Sequence, residues 1–309
     1  MRLLFIGTSP FAVPSLTQLQ ASPQHDVLAV VTQPDKPSGR GGKLSVSPVK
    51  AAALALGLPL YQPEKVRAKD FVQIVRELAP EIIVVAAFGQ IIPQRMLDIP
   101  PRGCINVHGS LLPRWRGAAP MQYSLMVGDA ETGVTTMMMD AGLDTGDILL
   151  QAPLSLDTVE DLGDLEAKLA EIGAKLLMET LAAIGRGDCP RVPQDASLVT
   201  LAPSLPPETG ALDWSRPART LHNLVRGVTP RPGAYLFVQG KRLKVWRTEV
   251  VENSLGAVGT IETIGGGGIT IYTSKGALRL REVQPESKGR MAADAWARGA
   301  RLAAGQTLE

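Results

Sequence analysis

The chain has 309 residues, 20% of them charged and 45% apolar, which is long for a single core and about right for two domains. It contains no apolar run of about 18 residues that could span a bilayer, and its two cysteines, which form no CxxC pair, and three histidines exclude a structural zinc site and disfavour a metal enzyme. The net charge of +2 conceals an asymmetry, because residues 1–206 carry 17 Lys and Arg against 21 Asp and Glu, net −4, while residues 207–309 carry 15 against 9, net +6.

The first apolar run, residues 3–6, stops at Gly7. It is too short for a signal-peptide core and fits a first strand, so a cytoplasmic protein is expected. Residues 11–19 take helical spacing, 27–31 form a second apolar run, 51–56 a helix, and 82–87 and 104–107 two further buried strands. Short apolar strands alternating with helices predict an α/β domain with a mostly parallel, doubly wound sheet. Ligands in such a domain bind at the carboxyl ends of strands. Phe88 and Gly89, residues 106–110 and residues 140–147 all follow apolar runs, so three loops are expected to meet at one crevice. The first strand-to-helix turn, GTSPFA, lacks the glycines for dinucleotide binding, and no P-loop motif occurs. Residues 161–184 form a long amphipathic helix, with Leu162, Leu165, Leu169, Ile172, Leu176, Leu177, Leu181 and Ile184 at three- and four-residue steps.

Residues 185–207, rich in Gly, Pro, Asp and Ser, read as a linker. Beyond it come a short helix at 221–225 and strands at 234–238, 243–251, 259–264, 269–273 and 277–283, separated by glycine-bearing turns. They predict a small β-barrel. The four glycines at 265–268 read as a mobile turn, with a phosphate nest as the lesser alternative. The basic C-terminal third fits either a polyanionic partner or a solvated surface.

Polar chemistry is concentrated in NVHGSLLPRWRG at 106–117 and DAGLDTGD at 140–147. Asn106 and His108 sit two apart at a strand end, so their side chains share a face. Such a pair presents an amide donor and an imidazole to one carbonyl oxygen, or else forms a buried hydrogen-bonded couple with no catalytic role. Asp140, Asp144 and Asp147 lack the closing glutamate of a calcium loop, which leaves a catalytic carboxylate or turn-forming aspartates. Residues 34–50, with Lys36, Arg40, Lys43 and Lys50, make a long basic connection; it is either an RNA-contacting segment that orders on binding or a plain surface loop. His25 and His222 read as structural or solvated, and Cys104 as a small core residue.

NVHGSLLPRWRGAAP at 106–120 and GLDTGD at 142–147, together with TQPDKPSGRG at 32–41, SPVK at 47–50, AFGQ at 87–90, DAETGV at 129–134 and LKVW at 243–246, resemble the methionyl-tRNA formyltransferase family over most of the chain. The Asn, His and Asp set alone would indicate only a folate-dependent formyltransferase, and enzymes acting on a small amine, such as an aminosugar nucleotide or glycinamide ribonucleotide, are the alternative. The resemblance implies a Rossmann-like catalytic domain at residues 1–189, a linker at 190–206 and an OB-like β-barrel at 207–309 that helps hold initiator methionyl-tRNA. It implies 10-formyltetrahydrofolate as cosubstrate, no metal and a monomer. It implies Asn106, His108 and Asp144 as catalytic residues, Ser110, Leu111, Leu112, Pro113, Phe88 and Gly89 as the folate site, and Arg40 with Lys36 and Lys43 as tRNA contacts. The chain departs from the family at Phe88, where a tyrosine is frequent, at Ser204, where a lysine is frequent, and at residues 229–233, where an aromatic residue is usual.

Overall fold

A computed structural model describes residues 1–38 and 43–308. The chain divides into two compact units. The first comprises Met1–Pro120, Glu131–Ser155 and Glu166–Pro203; the second comprises Met121–Ala130, Leu156–Leu165 and Ser204–Glu309.

As far as residue 186 the elements are β1 (Arg2–Gly7), α1 (Val13–Ala21), β2 (Asp26–Val31), the short antiparallel pair β3 (Lys36–Ser38) and β4 (Lys43–Ser45), α2 (Pro48–Ala55), β5 (Leu60–Tyr61), α3 (Lys69–Leu78), β6 (Ile82–Ala86), α4 (Gln94–Leu97), β7 (Cys104–His108), α5 (Pro120–Val127), β8 (Glu131–Met138), β9 (Ile148–Ser155) and α6 (Leu162–Arg186). Seven of the strands form one sheet in the order β5-β2-β1-β6-β7-β8-β9. The apolar runs of β1, β6 and β7 occupy its middle, where Leu3, Leu4, Phe5, Ile6, Ile82, Ile83, Val84 and Ile105 are fully buried. Buried central strands read as continuous apolar runs for this reason.

Five strands are parallel. β8 runs antiparallel to both β7 and β9, and the nine residues 139–147 that join β8 to β9 are too few for a parallel crossover. The reversal also changes the origin of one expected loop. Loops 88–89 and 109–117 leave the carboxyl ends of β6 and β7, but residues 139–147 start beside the opposite end of β7, where the Met139 N–H donates to the Cys104 carbonyl at 2.8 Å. The loop then folds back along the strand. α3, which the apolar runs did not announce, buries Phe71, Val72 and Val75 on one face.

The second unit contains α7 (Ala218–Val228), β10 (Ala234–Val238), β11 (Lys241–Val251), β12 (Ile261–Gly265), β13 (Gly268–Tyr272), β14 (Ala277–Pro285), β15 (Met291–Ala292) and α8 (Ala293–Gly299). Its sheet runs β10-β11-β14-β13-β12, with β15 on β14, and every pairing is antiparallel. Alternation along the strands puts Leu236, Leu243, Val245, Ile269, Ile271, Leu278 and Leu280 into one core with Leu221, Leu224, Val225 and Val228 of α7. The four-glycine turn is filled by the protein itself. The Gly267 N–H donates to the Asp294 carboxylate at 3.2 Å, while Arg279 and Arg281 donate to the carbonyls of Gly265 and Gly266. A carboxylate of the chain thus occupies the N–H that a phosphate nest would need.

Candidate active site

β7 is the platform. Asn106 and His108 lie on the same side of it, and His108 is only 5% exposed. The His108 Nε2 is 2.9 Å from the Trp115 carbonyl oxygen; a carbonyl only accepts, so Nε2 carries hydrogen and the neutral ring has its lone pair on Nδ1. That nitrogen faces Asp144, with Oδ2 at 3.8 Å. Asp144 is held from two further sides. Its Oδ1 accepts from Asn106 Nδ2 at 3.3 Å and its Oδ2 accepts from the Gly117 N–H at 2.9 Å.

This arrangement requires an unusual backbone. Asp144 has φ of 52° and Trp115 of 64°, in the left-handed region that costs a side-chain-bearing residue about 1–2 kcal/mol. Two glycines allow the close approaches around them. A Cβ on Gly146 would overlap the Met138 carbonyl, and Gly117, at φ 126°, would place one 2.6 Å from the Ala202 carbonyl oxygen.

The segment after His108 is equally constrained. Ser110 is fully buried and its Oγ donates to the Arg114 carbonyl at 2.6 Å. Thr135 Oγ1 donates to the Ser110 carbonyl at 2.7 Å and accepts from the Leu112 N–H at 3.0 Å, and Gln151 Nε2 donates to the Leu112 carbonyl at 2.8 Å. The Leu111 carbonyl accepts from the Arg114 N–H, and the Pro113 carbonyl accepts from the Thr200 N–H. The backbone from Ser110 to Pro113 is therefore a rigid edge beside Asn106 and His108.

Phe88 puts its ring into the core, 2% exposed. Its carbonyl accepts from Gln33 Nε2 at 2.7 Å and from Thr8 Oγ1 at 3.0 Å, and Gly89 follows at φ 82°. Any ligand contact from these two residues is accordingly through the backbone. Lys36 Nζ donates to Gln33 Oε1 at 2.7 Å. Lys43 belongs to β4, and Arg40 lies outside the described residues. The base of this basic connection is clamped by Lys50, whose Nζ is 2.6 Å from Asp35 Oδ2, and by Gln62 on Asp35 Oδ1 at 2.9 Å; the Lys50 bond holds the Asp35 carboxyl below its ordinary value.

The three aspartates separate. Asp140 Oδ1 accepts from the Gly142 N–H and from Thr145 Oγ1, which makes it a turn former, and the Asp147 carbonyl accepts from the Met138 N–H. Only Asp144 is bonded to the β7 pair. Cys104 is buried and its thiol is pushed up to about 12 by that burial, so it is no nucleophile. The sequence reading missed Gln194, whose Nε2 donates to the carbonyls of Asp144 and Gly146, both at 2.8 Å, and whose Oε1 accepts from Arg116 Nε at 2.9 Å. It also missed Thr200, whose Oγ1 accepts from the Trp115 N–H at 2.9 Å. Isolated polar residues in a polar stretch carry no periodic or motif signal.

Residues 1–181 match the family described as formyl transferase, and residues 204–301 match its C-terminal domain. Over 308 residues the chain is 48% identical to the methionyl-tRNA formyltransferase of Geotalea daltonii, covering 100% of this chain and 98% of that protein. The chain belongs to the methionyl-tRNA formyltransferase family. Among solved structures it resembles HypX from Aquifex aeolicus in complex with tetrahydrofolic acid, at 18% identity and a TM-score of 0.65, over 96% of this chain and 47% of that one. It also resembles an N-formyltransferase from Helicobacter canadensis in complex with folinic acid and dTDP-3-aminofucose, at 16% identity and 0.66, over 90% and 98% of the two chains. At such identities the likeness is one of fold. The family's chemistry is formyl transfer, and the cluster on β7 brings together an amide donor, an imidazole and a carboxylate.

Proposed function

We propose that this chain transfers the formyl group of 10-formyltetrahydrofolate to the α-amine of methionyl initiator tRNA, acting as a cytoplasmic monomer. The full-length 48% identity to a protein of that activity is the observation that carries the reading. The assembled Asn106, His108 and Asp144 cluster supports it. The neutral amine attacks the formyl carbon, a C–N bond forms, and the carbonyl oxygen becomes negative. Asn106 gives one N–H of its amide to Asp144 and has a second for that oxygen; such donors act where charge develops. The lone pair on His108 Nδ1 accepts the proton that the amine loses, and Asp144 stabilises the resulting imidazolium. The proton then passes to the departing folate nitrogen as the old C–N bond breaks, so the ring ends as it began. The backbone from Ser110 to Pro113, with the backbone at Phe88 and Gly89, forms the folate edge in this reading.

In the same proposal the first unit carries the chemistry and the second, read as an OB-like barrel, holds tRNA. Its outward sheet face supports this. Arg242 lies over the Tyr235 ring at 3.8 Å, Arg290 over Trp246 at 3.3 Å and Lys244 near Trp246 at 5.9 Å, while Phe237 is 49% exposed. Aromatic rings interleaved with cations suit RNA bases and phosphates. The basic connection with Lys36, Arg40 and Lys43 is assigned to the same partner. The test is to incubate the protein with 10-formyltetrahydrofolate and initiator tRNA charged with methionine, with free methionine and uncharged tRNA as controls. Formyl-methionine released only from charged tRNA upholds the proposal; formylation of a small amine instead replaces it with the aminosugar-type reading.

A further inference from the structure

Gln194 lies in a run whose neighbours, residues 191–193 and 195–198, are exposed, yet it is itself half-buried. The hydrogen bonds of its side chain go to one place. Two N–H groups are spent on carbonyls in the loop that holds Asp144, and the oxygen is spent on Arg116, within the loop that gives Trp115 O to His108 and Gly117 N–H to Asp144. The stretch is anchored on either side. Val192 exchanges both backbone hydrogen bonds with Ile148 at the start of β9, and residues 200–202 pair with residues 116–119 while Thr200 takes the Trp115 N–H.

We infer that Gln194 is a positioning residue for Asp144, and that the segment 192–202 is a structural part of the catalytic centre rather than a passive linker. Neither the polar stretch nor the family match that ends at residue 181 assigns it such a role. The physical basis is the backbone of Asp144. A residue at φ 52° in a glycine-bearing loop can relax to other conformations, and those would turn its carboxylate away from Nδ1 of His108. Two hydrogen bonds to carbonyls at 144 and 146, from an amide whose own orientation is set by Arg116, select the one conformation that faces β7. Arg116 matters in the same way, because without it the amide could rotate and present oxygen to the carbonyls.

This inference rests on the proposed reaction for its kinetic readout but not for its spectroscopic one. In the full-length chain Gln194→Glu keeps the size and the Arg116 contact but sets carboxylate oxygens against two carbonyls. Gln194→Met is the neutral control of similar length. The protein has three histidines, so the imidazole nitrogen resonances of His108 are resolved by NMR from those of His25 and His222. Both variants are expected to move the His108 resonances in the direction that Asp144→Ala moves them and to leave the other two in place. Turnover should fall about 10- to 100-fold, the lower end of what misplacing a reacting group costs, with KM for both substrates within about threefold. The double variant Asp144→Ala with Gln194→Met should be no slower than Asp144→Ala alone, since groups acting as one unit are not additive. Unchanged His108 resonances in the Gln194 variants, or losses that multiply in the double variant, would overturn the assignment. A wild-type protein that fails to formylate charged tRNA would instead remove the proposed function and leave the NMR comparison to decide the role of Gln194.

Discussion

Asp144 gathers, in one carboxylate, the contacts that make the site a site: Asn106 on one oxygen, the Gly117 N–H and the His108 ring on the other. In the proposed mechanism, replacing Asn106 with alanine removes the donor for the developing oxyanion, and replacing Asp144 removes the support for the imidazolium. Each substitution is expected to cost about 100- to 1000-fold in turnover while the thermal midpoint stays close to that of the parent, because neither side chain is part of a hydrophobic core. Steady-state kinetics with charged tRNA checks this, and turnover near the parent's in either variant would remove that residue from the mechanism. The three residues are legible in the sequence because they sit in motifs. Composition and spacing alone leave open which aspartate of DAGLDTGD faces the strand, since glycine-flanked aspartates all look like turn formers, and only the family resemblance names Asp144. Tertiary contact decides it: Asp140 is satisfied within its own turn, and Asp144 is satisfied across the sheet.

At the scale of elements, α7 illustrates how a helix of mixed composition becomes a buried one. It spans Ala218–Val228, longer than the 221–225 stretch its apolar residues mark, and it buries His222, Asn223 and Arg226 along with Leu221, Leu224 and Val225. The polar side chains are paired within their own unit: Arg226 donates to the Asp157 carbonyl at 2.6 Å and to Asn223 Oδ1 at 3.0 Å, and His222 Nε2 donates to the Thr158 carbonyl at 2.9 Å. With Nε2 protonated, the neutral ring accepts at Nδ1 from Thr248 Oγ1, 2.8 Å away. Burial, more than the nearby arginines, holds the His222 ring below the ordinary histidine range. The unfolded chain binds this proton first, near pH 6.5, so the unfolded state is favoured as pH drops through that value, until the folded ring protonates as well. Thermal melts between about pH 7.5 and about pH 5 should therefore fall more steeply for the parent than for His222→Gln, which keeps a donor for Thr158. Parallel curves would show that His222 is not the titrating group.

Across the whole molecule, the net charge of +6 over residues 207–309 acquires a location. Cations and aromatic rings share the outward side of β10 and β11, where Tyr235 pairs with Lys244 and Phe237 with Arg242, opposite the buried Leu243 and Val245. Reversing Arg242 and Lys244 to glutamate is expected to raise KM for charged tRNA by about tenfold or more and to flatten its dependence on salt, because phosphate contacts release counterions. KM for the folate should not change. Equal loss towards both substrates would mean that the charge reversal had damaged the fold rather than an RNA surface. Much of the architecture was readable beforehand for a simple reason. Apolar runs and period-two alternation follow from burial, and burial is a local demand on each strand and helix, so β1, β2, β6, β7, α6 and the strands of the second unit stand out in the chain. Motif residues stand out likewise, since a strand end with Asn106 and His108 is contiguous. The reversal of β8, the return of the 139–147 loop along β7 and the part taken by Gln194 and Thr200 were decided only by tertiary structure. Each depends on pairing between residues 27 to 85 positions apart, and a hydrogen bond at that separation leaves no period or spacing in the sequence by which to find it.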